Sequence, residues 1–532
     1  MASPPRLPAP ARAGNVPALT AGGRPHGPCT MIDLLADAPT TSVAIAGFSA
    51  AAHALWQYLW TPLTTAAWSD LHGFWYRQIL DDRFVAAWFL PLVPLLAVLR
   101  RNRLRVGIIL TGLVFLVYVF GVLYAALWLG VCLGLHWLGE SFARQCARPD
   151  VPPRRPIVGT WLLLGGGYVV AMAMHNLKIS ARLNAWLFEH ACWIFPLGTG
   201  RFAWEPLYVQ VGGTLPHPPQ LFAALYWNVH SIGVAYLAVR MLQYFSEIRR
   251  GTLPPAQRTR LNFLAWVCYA PTLIQGPVER FAQFQAEMDT CHQRRGPLNL
   301  LRGLGRIAWG LSKSIIGTLW FQPLVIDVLG VGRRDGYYAA PENIASTGLL
   351  VYGVFFQIFW LYLEFSGYCD LAAGTARILG YRQIENFRLP WIATSLRDFW
   401  KRWHISLSEI LRDYVYIPLG GNRRRGTLNL CITFAACGLW HALAAQVAAW
   451  GVLMGLMIAV NQAWAHRMKR LDASATGLLP ALRRAALRLR PLPTIVAWLI
   501  TQHAFLLTLL VFFGGTGGLR VLREIVRRLA GL

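Results

Sequence analysis

The chain has 532 residues, of which 55% are hydrophobic and only 14% are charged. A soluble domain of this length carries roughly a quarter charged residues, so the composition argues against a soluble protein and indicates a membrane protein. The formal net charge is +26, but arginines cluster in short loops between apolar runs, which is typical of cytoplasmic loops of membrane proteins and disfavours nucleic-acid binding. The basic residues are mostly arginine, a bias of GC-rich genomes that suggests a bacterial source.

The first 30 residues are rich in Pro, Ala and Gly and lack hydrophobic periodicity, so we expect them to be disordered. They also lack the apolar core of a signal peptide. Met31 follows directly, which leads to the hypothesis that translation begins there. Since no soluble domain and no internal repeat is evident, residues 31–532 are predicted to form a single polytopic domain with a core motif region at 364–460.

Apolar stretches long enough to cross a bilayer recur along the rest of the chain. The predicted fold class is therefore all-α, a polytopic integral membrane protein with about ten to twelve transmembrane helices. A shorter stretch, 185–197, is predicted to be interfacial or re-entrant. The candidate spans are 43–62, 84–99, 106–121, 122–138, 157–175, 220–243, 261–276, 303–329, 346–372, 428–443, 446–464 and 494–513.

A polar but aromatic-rich stretch, 373–427, interrupts this pattern. Apolar residues recur at helical spacing in its sequence RDFWKRWHISLSEILRDY, which predicts an amphipathic helix at an interface or packed on the helical body. A turn is predicted at 418–422, where Pro, Gly and Asn follow one another. An interfacial anchor and a functional element explain this helix equally well, but the anchor leaves His404 unexplained.

Two histidines, each directly after a tryptophan, are the strongest candidates for chemistry. His441 lies inside the apolar stretch 428–460, and ionisable groups at membrane depth usually face the protein interior or a water-filled cavity. Histidine has a pKa suited to proton transfer near neutral pH. From residue type and depth alone, a hydrogen-bonded core histidine explains His441 as well as a general base does. A short helix and a turn can bring His404 to the same cavity.

Other residue patterns narrow the chemistry further. Glu364 and Asp370 lie near the end of one span and are equally well explained as structural hydrogen-bonding groups. The sequence contains no Walker-type loop, no Gly-x-Ser-x-Gly elbow and no His-Glu-x-x-His. The cysteines show no metal or disulfide spacing. We therefore expect no metal site and no tightly bound cofactor.

The chain resembles the membrane-bound O-acyltransferase family in the run FSGYCDLAAGTARILGYRQIENFRLPWIATSLRDFWKRWHISLSEILRDYVYIPLGGNRRR, followed by GLWHA. It is most similar to the bacterial branch that contains alginate O-acetyltransferase and the D-alanyl transferase of teichoic acids. The close similarity covers 365–451, and weaker matches, VHSIGVAYLAVRMLQYFSEIRRG and YAPTLIQGPVERF, extend it over most of 84–460. The resemblance implies a ring of membrane helices around a central tunnel, a catalytic His441 and a second functional His404.

The resemblance also implies the substrates. The donor is expected to be an acyl thioester on the cytoplasmic side, either acyl-CoA or an acylated carrier protein, and the acceptor a hydroxyl reached from the other side. We expect acetylation of an exported or cell-envelope polysaccharide at the bacterial cytoplasmic (inner) membrane, with a periplasmic acyltransferase as a further partner. D-alanyl transfer from a carrier protein and acylation of a lipid or protein stay open as alternatives. A transporter or flippase is disfavoured, because no repeat and few intramembrane acids are present.

Individual roles follow for the residues around the two histidines. His441 is predicted to be the general base, and His404, Asn422 or Trp440 to orient the substrate or stabilise the oxyanion. The Arg-rich turn 423–425 is explained better by the positive-inside rule than by donor phosphates. Supporting or substrate-binding roles are predicted for a further set of side chains. These are Trp440, Trp403, Asn422, Asp398, Arg402, Asp370 and Glu364.

Overall fold

The structure, a computed structural model, describes residues 96–148, 235–473 and 491–531, apart from positions 97, 121, 274, 334, 345 and 443. All of these residues belong to one compact unit, 66–532. The predicted disordered segment 1–30, the candidate spans 43–62 and 157–175, most of 84–99 and the stretch 185–197 lie outside the described residues. The described residues form helices joined by turns, and no strand occurs among them.

Thirteen helices carry the described part of the fold. Three of them are long and apolar enough to cross a membrane, namely Thr347–Ile378, Ala445–Arg470 and Leu492–Gly514, and they coincide with predicted spans. The helices are α1 (Arg101–Phe120), α2 (Val122–Cys146), α3 (235–249, described from 235), α4 (Arg260–Val267), α5 (Phe281–Thr290), α6 (Pro297–Ile316), α7 (Thr347–Ile378), α8 (Leu396–Trp400), α9 (Ile405–Leu411), α10 (Gly426–His441), α11 (Ala445–Ala473), α12 (Leu492–Gly514) and α13 (Thr516–Leu529).

The prediction of a membrane span at 261–276 was wrong. Helix α4 is only eight residues long and is followed by a 3-10 turn, Ala270–Thr272. The buried guanidinium of Arg240 explains the break, because it donates to the carbonyl oxygen of Trp266 at 3.2 Å and to that of Thr272 at 2.6 Å. These bonds satisfy carbonyls that a longer helix would have satisfied itself, and Pro271 has no N–H with which to continue the helix.

Helices α6 and α7 pack antiparallel through paired glycines. A Cβ on Gly310 would lie 2.6 Å from the carbonyl oxygen of Gly367, and one on Gly303 would lie 2.8 Å from that of Gly374. Small residues let membrane helices approach this closely. The span predicted at 303–329 is α-helical only in its first part. Two π-helical segments, Gly317–Phe321 and Leu324–Val328, follow α6.

Helices α10 and α11 form a second close pair. A Cβ on Gly438 would lie 2.0 Å from the carbonyl oxygen of Val447, and one on Gly451 would lie 2.1 Å from that of Phe434. The chain reverses between them at 442–444, so the end of α10 is fixed against the start of α11. This contact determines where His441, the last residue of α10, stands.

Two hydrophobic clusters form the core of the described residues. One is built mainly on α1 to α5, and the other mainly on α7 to α13, and α3 contributes to both. Helix α7 belongs to both, since Leu349, Ile358 and Leu363 pack in the second cluster while Ala376 packs in the first. The aromatic residues between α7 and α10 thus lie inside the protein body.

Candidate active site

The segment that carries His404 is not the single amphipathic helix that its periodicity predicts. It forms α8 and α9 with a break between them, where His404 adopts a left-handed backbone conformation with φ 44° and ψ 54°. Phe399, Trp403 and Leu407 are buried in the second core cluster. The segment is therefore packed on the helical body, and the hypothesis of an interfacial anchor is not supported.

Asn386, which the sequence analysis did not select, holds this break in place. Its carbonyl oxygen accepts from the backbone N–H of Ile405 at 2.9 Å. Its Oδ1 accepts from the N–H of Ser406 at 3.2 Å and from the hydroxyl of Ser406 at 2.9 Å. The N–H of Val278 in turn donates to the Ser406 hydroxyl oxygen at 2.9 Å. Buried hydrogen bonds of this kind fix a single backbone geometry. The only sequence signal for Asn386 is that it lies within the run that resembles the family.

The two candidate histidines meet at one tryptophan ring. The ring centroid of Trp440 lies 5.8 Å from that of His404 and 4.7 Å from that of His441. The indole N–H of Trp440 donates to the carbonyl oxygen of Ala235 at 2.8 Å, and its ring packs on Tyr236. Because this N–H is occupied, the predicted role of Trp440 as an oxyanion donor is not supported; its ring instead positions the two imidazoles.

The two imidazoles differ in their surroundings. His404 is 4% exposed, and neither of its ring nitrogens has a hydrogen-bond partner among the described residues. Buried polar groups in native proteins are normally paired, so such a ring indicates a place for a substrate or water. The side chain of His441 is exposed, and its ring lies 5.2 Å from that of Phe512. Of the two imidazoles, that of His441 is therefore the accessible one.

His404 lies outside the three candidate spans, and its imidazole is held neutral. Burial, and then the nearby His441, lower the pKa of His404 to about 3. A neutral imidazole carries one N–H donor and one acceptor nitrogen. It can thus offer a hydrogen bond without bringing a charge into the site.

A small polar cavity of about 200 Å³ borders the His404 segment. Asp370 lines it and is bound at 2.6 Å by both Arg306 and Lys313. The buried hydroxyl of Ser366 also lines it and has no hydrogen-bond partner among the described residues. Asn386 forms part of the same wall. The structure therefore places the predicted residue Asp370 in the same cavity wall as Asn386, the residue that holds the backbone next to His404.

The remaining predicted supporting residues are spread over the fold. Glu364 accepts from the Thr318 hydroxyl at 3.2 Å, and Asp398 pairs with Arg402 at 2.9 Å. Trp403 packs among Phe387, Phe399 and other core aromatic rings. Asn422 lies in the predicted 418–422 turn, which the structure contains. At 1.5 Å per residue, α10 separates this turn from His441 by about 22 Å, so Asn422 does not support the histidines.

An arginine-lined cleft adjoins the small cavity. It has a volume of about 560 Å³ and shares Arg306 and Glu385 with the cavity. The side chain of Gln383 also lines it. The arginines that line the cleft are Arg294, Arg302, Arg306, Arg377 and Arg382. The arrangement suits an anionic group at the mouth and a polar chain further in.

Helices of membrane length around two interior histidines define a multi-spanning membrane protein with an imidazole site. Residues 203–507 match the sequence profile of the membrane-bound O-acyltransferase family. The chain belongs to this family.

Curated relatives carry several related names. The chain is 32% identical to the probable alginate O-acetylase of Pseudomonas putida over 64% of this chain and 61% of the relative. It is 30% identical to the peptidoglycan O-acetyltransferase of Helicobacter pylori over 48% of this chain and 44% of the relative. It is 27% identical to the teichoic acid D-alanyltransferase of Streptococcus thermophilus over 60% of this chain and 76% of the relative. The chain thus spans less than two thirds of the length of the first two.

Proposed function

We propose that this protein is an acyltransferase that moves an acetyl group from a cytoplasmic thioester to a hydroxyl of an exported or cell-envelope polysaccharide. The observation that carries the proposal is the contact of His404 and His441 with one ring, Trp440, where His404 is buried and unpaired and His441 is accessible. Relatives named as acetylating alginate and peptidoglycan support a polysaccharide acceptor. The bacterial cytoplasmic membrane is the proposed location.

In the proposed reaction, His441 acts as the general base. It takes the proton of the acceptor hydroxyl as the hydroxyl oxygen attacks the thioester carbonyl, and the C–S bond then breaks. The proton passes from His441 to the thiolate that leaves. His441 is the last residue of α10, and a helix C-terminus favours a positive charge, which stabilises the transient imidazolium. The neutral His404 donates its N–H to the developing oxyanion.

The donor is proposed to enter through the arginine-lined cleft. Arg302, Arg377 and Arg382 line it without an ion pair among the described residues, which suits the phosphates of acyl-CoA or of a carrier protein's prosthetic arm. The neighbouring cavity is lined by Asp370 and by Asn386, which bonds to the residues that follow His404. The positive-inside rule favours the cytoplasm for this end of α6 and α7. The thioester is a substrate in this scheme, and no tightly bound cofactor is proposed.

D-alanyl transfer from a carrier protein to an envelope polymer is the second candidate. The similarity to the Streptococcus thermophilus D-alanyltransferase covers 76% of that relative, a larger share than for the acetylating relatives. The same two histidines serve either acyl group. A periplasmic acyltransferase that completes the transfer is a proposed partner in the first case. Mass analysis of the modified polymer, for added acetyl or alanyl groups, separates the two candidates.

The test of the catalytic role is the variant His441→Ala, with acylation of the envelope polymer as the measurement. Loss of a general base costs about 10²–10⁴-fold in rate, so we expect acylation to fall at least 100-fold at an unchanged protein level. His404→Ala is expected to reduce it as well. His503→Gln is the matched control, because His503 is an exposed histidine on α12 that bonds the carbonyl of Leu499 in its own helix. Wild-type acylation in His441→Ala would contradict the proposal.

A further inference from the structure

The described fold contains a second polar cleft that is separate from the proposed donor path. Its walls are the residues before and within α8, the turn 417–425, the last part of α11 and the first half of α12. Its volume is about 380 Å³. Two cations, Arg397 and Lys469, line it, together with His466 and the amides of Asn422 and Asn461. It shares no lining residue with the arginine-lined cleft or the cavity beside Asp370.

The charge of this cleft is not neutralised within the described residues. Arg397, His466 and Lys469 are exposed, and none of them forms an ion pair there. The carboxylate next to Arg397, Asp398, is bound by Arg402 at 2.9 Å. The acid nearest to Lys469 in sequence is Asp472, one turn further along α11. The residues 474–490, which join the two helices that form the walls, contain four arginines and no acid in their sequence. The cleft therefore suits an anion.

The cleft is also rigid and supplies neutral hydrogen-bond donors. Asn422 accepts the hydroxyl hydrogen of Tyr416 on its Oδ1 at 2.6 Å, so its NH₂ group is left to donate. Asn429 holds the turn by donating to the carbonyl oxygens of Gly421 at 2.9 Å and Arg424 at 2.7 Å. On the α12 side, Gln502 donates to the carbonyl oxygen of Ala393 at 3.0 Å. A preformed site of this kind loses less ordering entropy on binding.

The surface next to the cleft is apolar. On the two helices that form its walls, Val460 is 69% exposed, Trp464 61% and Ile500 64%. Both helices are candidate membrane spans. An anion held by Arg397 and Lys469 would therefore sit directly beside a surface that acyl chains cover.

From this arrangement we infer that the cleft binds the phosphate headgroup of an anionic phospholipid, with the acyl chains lying on α11 and α12. Arg397 and Lys469 pair with the phosphate oxygens, and Asn422 and Asn461 offer hydrogen-bond donors to the headgroup. A free phosphate would use the same donors but would leave the apolar flank uncovered. The inference does not depend on the acyl-transfer reaction.

The test compares lipid retention by variants of the full-length protein. The protein is purified in neutral detergent with equal phosphatidylglycerol and phosphatidylcholine, and retained lipid is counted by native mass spectrometry. We expect the wild type to retain phosphatidylglycerol selectively. The double variant Arg397→Gln/Lys469→Gln is expected to retain at least tenfold less, because the loss of two charge-assisted hydrogen bonds exceeds the roughly 1.4 kcal/mol that corresponds to tenfold. The single variant Lys469→Gln should show a smaller loss.

Arg470→Gln is the matched control, since Arg470 is exposed on the same helix and does not line the cleft. An equal loss in Arg470→Gln would overturn the site in favour of diffuse surface charge. Displacement of the lipid by millimolar inorganic phosphate would overturn the choice of a lipid ligand. A raised KM for the acyl donor in the double variant, with lipid retention unchanged, would reassign the cleft to the donor. Size-exclusion profiles that match the wild type show that each variant is folded.

Discussion

At the scale of single residues, the backbone conformation of His404 is the feature most sensitive to substitution of its neighbours. A left-handed conformation costs a non-glycine residue roughly 1–2 kcal/mol, and here three hydrogen bonds from Ile405 and Ser406 to Asn386 hold it. Asn386 touches no reacting atom in the proposed mechanism, so it is a positioning residue. Its role is to orient the imidazole of His404, which donates a hydrogen bond to the oxyanion in the proposed mechanism.

Asn386→Ala is therefore expected to lower kcat by about tenfold or more while the KM for the donor changes little. The reason is that His404 loses its orientation but the donor cleft keeps its charges. Steady-state acyl transfer by purified protein measures both constants. Asn343→Ala, in an exposed turn, serves as the control. A rise in KM with kcat unchanged would assign Asn386 to donor binding instead.

Glu279 is a second residue with a measurable signature. It lies in the loop before α5, is buried, and accepts a hydrogen bond from the Tyr381 hydroxyl. Burial, only partly offset by that hydrogen bond and by Arg240, raises the pKa of Glu279 to about 7. Between the ordinary carboxyl pKa and about pH 7, Glu279 therefore holds a proton in the folded protein but has released it in the unfolded chain. Stability is therefore expected to fall as the pH rises through this window.

We expect the thermal midpoint of the detergent-solubilised protein to decrease from pH 5 to pH 8. Glu279→Gln should flatten this dependence, because an amide does not titrate and still accepts from Tyr381. Differential scanning fluorimetry across the pH range provides the measurement. An identical slope in the wild type and in Glu279→Gln would show that another group is responsible.

The sequence predicts the residues of the site unevenly. His441 was found because an ionisable ring inside an apolar stretch is rare and costly, and His404 because it also directly follows a tryptophan. The role of Asn386 and the hydrogen bond of the Trp440 N–H were not predicted. Both depend on partners elsewhere in the chain, Ser406 and Ala235. Spacing alone does not reveal such tertiary hydrogen bonds.

At the scale of helices, the close approach of α10 and α11 fixes the position of His441. Gly438 stands one turn before His441 and leaves no space for a Cβ against the carbonyl oxygen of Val447. Gly438→Ala is expected to push the two helices apart, lowering the thermal midpoint by several degrees and reducing acyl transfer. Overpacking of this kind costs about 1–3 kcal/mol.

The matched control is Gly134→Ala in α2, because a Cβ at Gly134 has no atom within 4 Å. That variant is expected to be neutral or slightly stabilising, since alanine favours a helix over glycine. Equal effects of the two substitutions on the thermal midpoint would contradict the role of the α10–α11 contact. The midpoint and the acyl-transfer rate are measured on the same preparations.

Hydropathy predicts the long helices well and the interrupted ones poorly. α7, α11 and α12 are where the apolar runs place them. The prediction of a span at 261–276 failed because Arg240, on another helix, ends α4 by donating to a carbonyl oxygen at its end. The prediction of one helix over 397–414 failed because the helical periodicity of the sequence continues through the break that Asn386 stabilises. In both cases a side chain from elsewhere satisfies backbone groups that the local sequence would satisfy by a helix.

At the scale of the whole molecule, α7 connects the two core clusters, and Asp370 lies on it between them. Asp370 is almost fully buried and neutralises Lys313 and Arg306 of α6. Removing one partner of a buried ion pair leaves an uncompensated charge and costs about 3–5 kcal/mol. The joint between the clusters thus depends on one carboxylate.

Asp370→Asn is expected to lower the thermal midpoint strongly. The double variant Lys313→Met/Asp370→Leu should recover much of the loss, because it removes both charges and leaves Arg306 paired with Glu385 at 2.6 Å. Thermal unfolding in detergent compares the three proteins. A double variant as unstable as Asp370→Asn would mean that the ion pair itself, rather than charge balance, stabilises the joint.

The aromatic contacts of α12 also determine the order in which the site can assemble during synthesis. Phe505 packs 4.0 Å from the ring of Phe399, and Phe512 packs against His441. The α6–α7 and α10–α11 pairs join neighbours in the chain and can form as soon as they leave the ribosome. The pocket around the two histidines, in contrast, closes only when α12 is inserted. A nascent chain arrested before α12 would hold the paired helices but would lack the contacts of Phe505 with Phe399 and of Phe512 with His441.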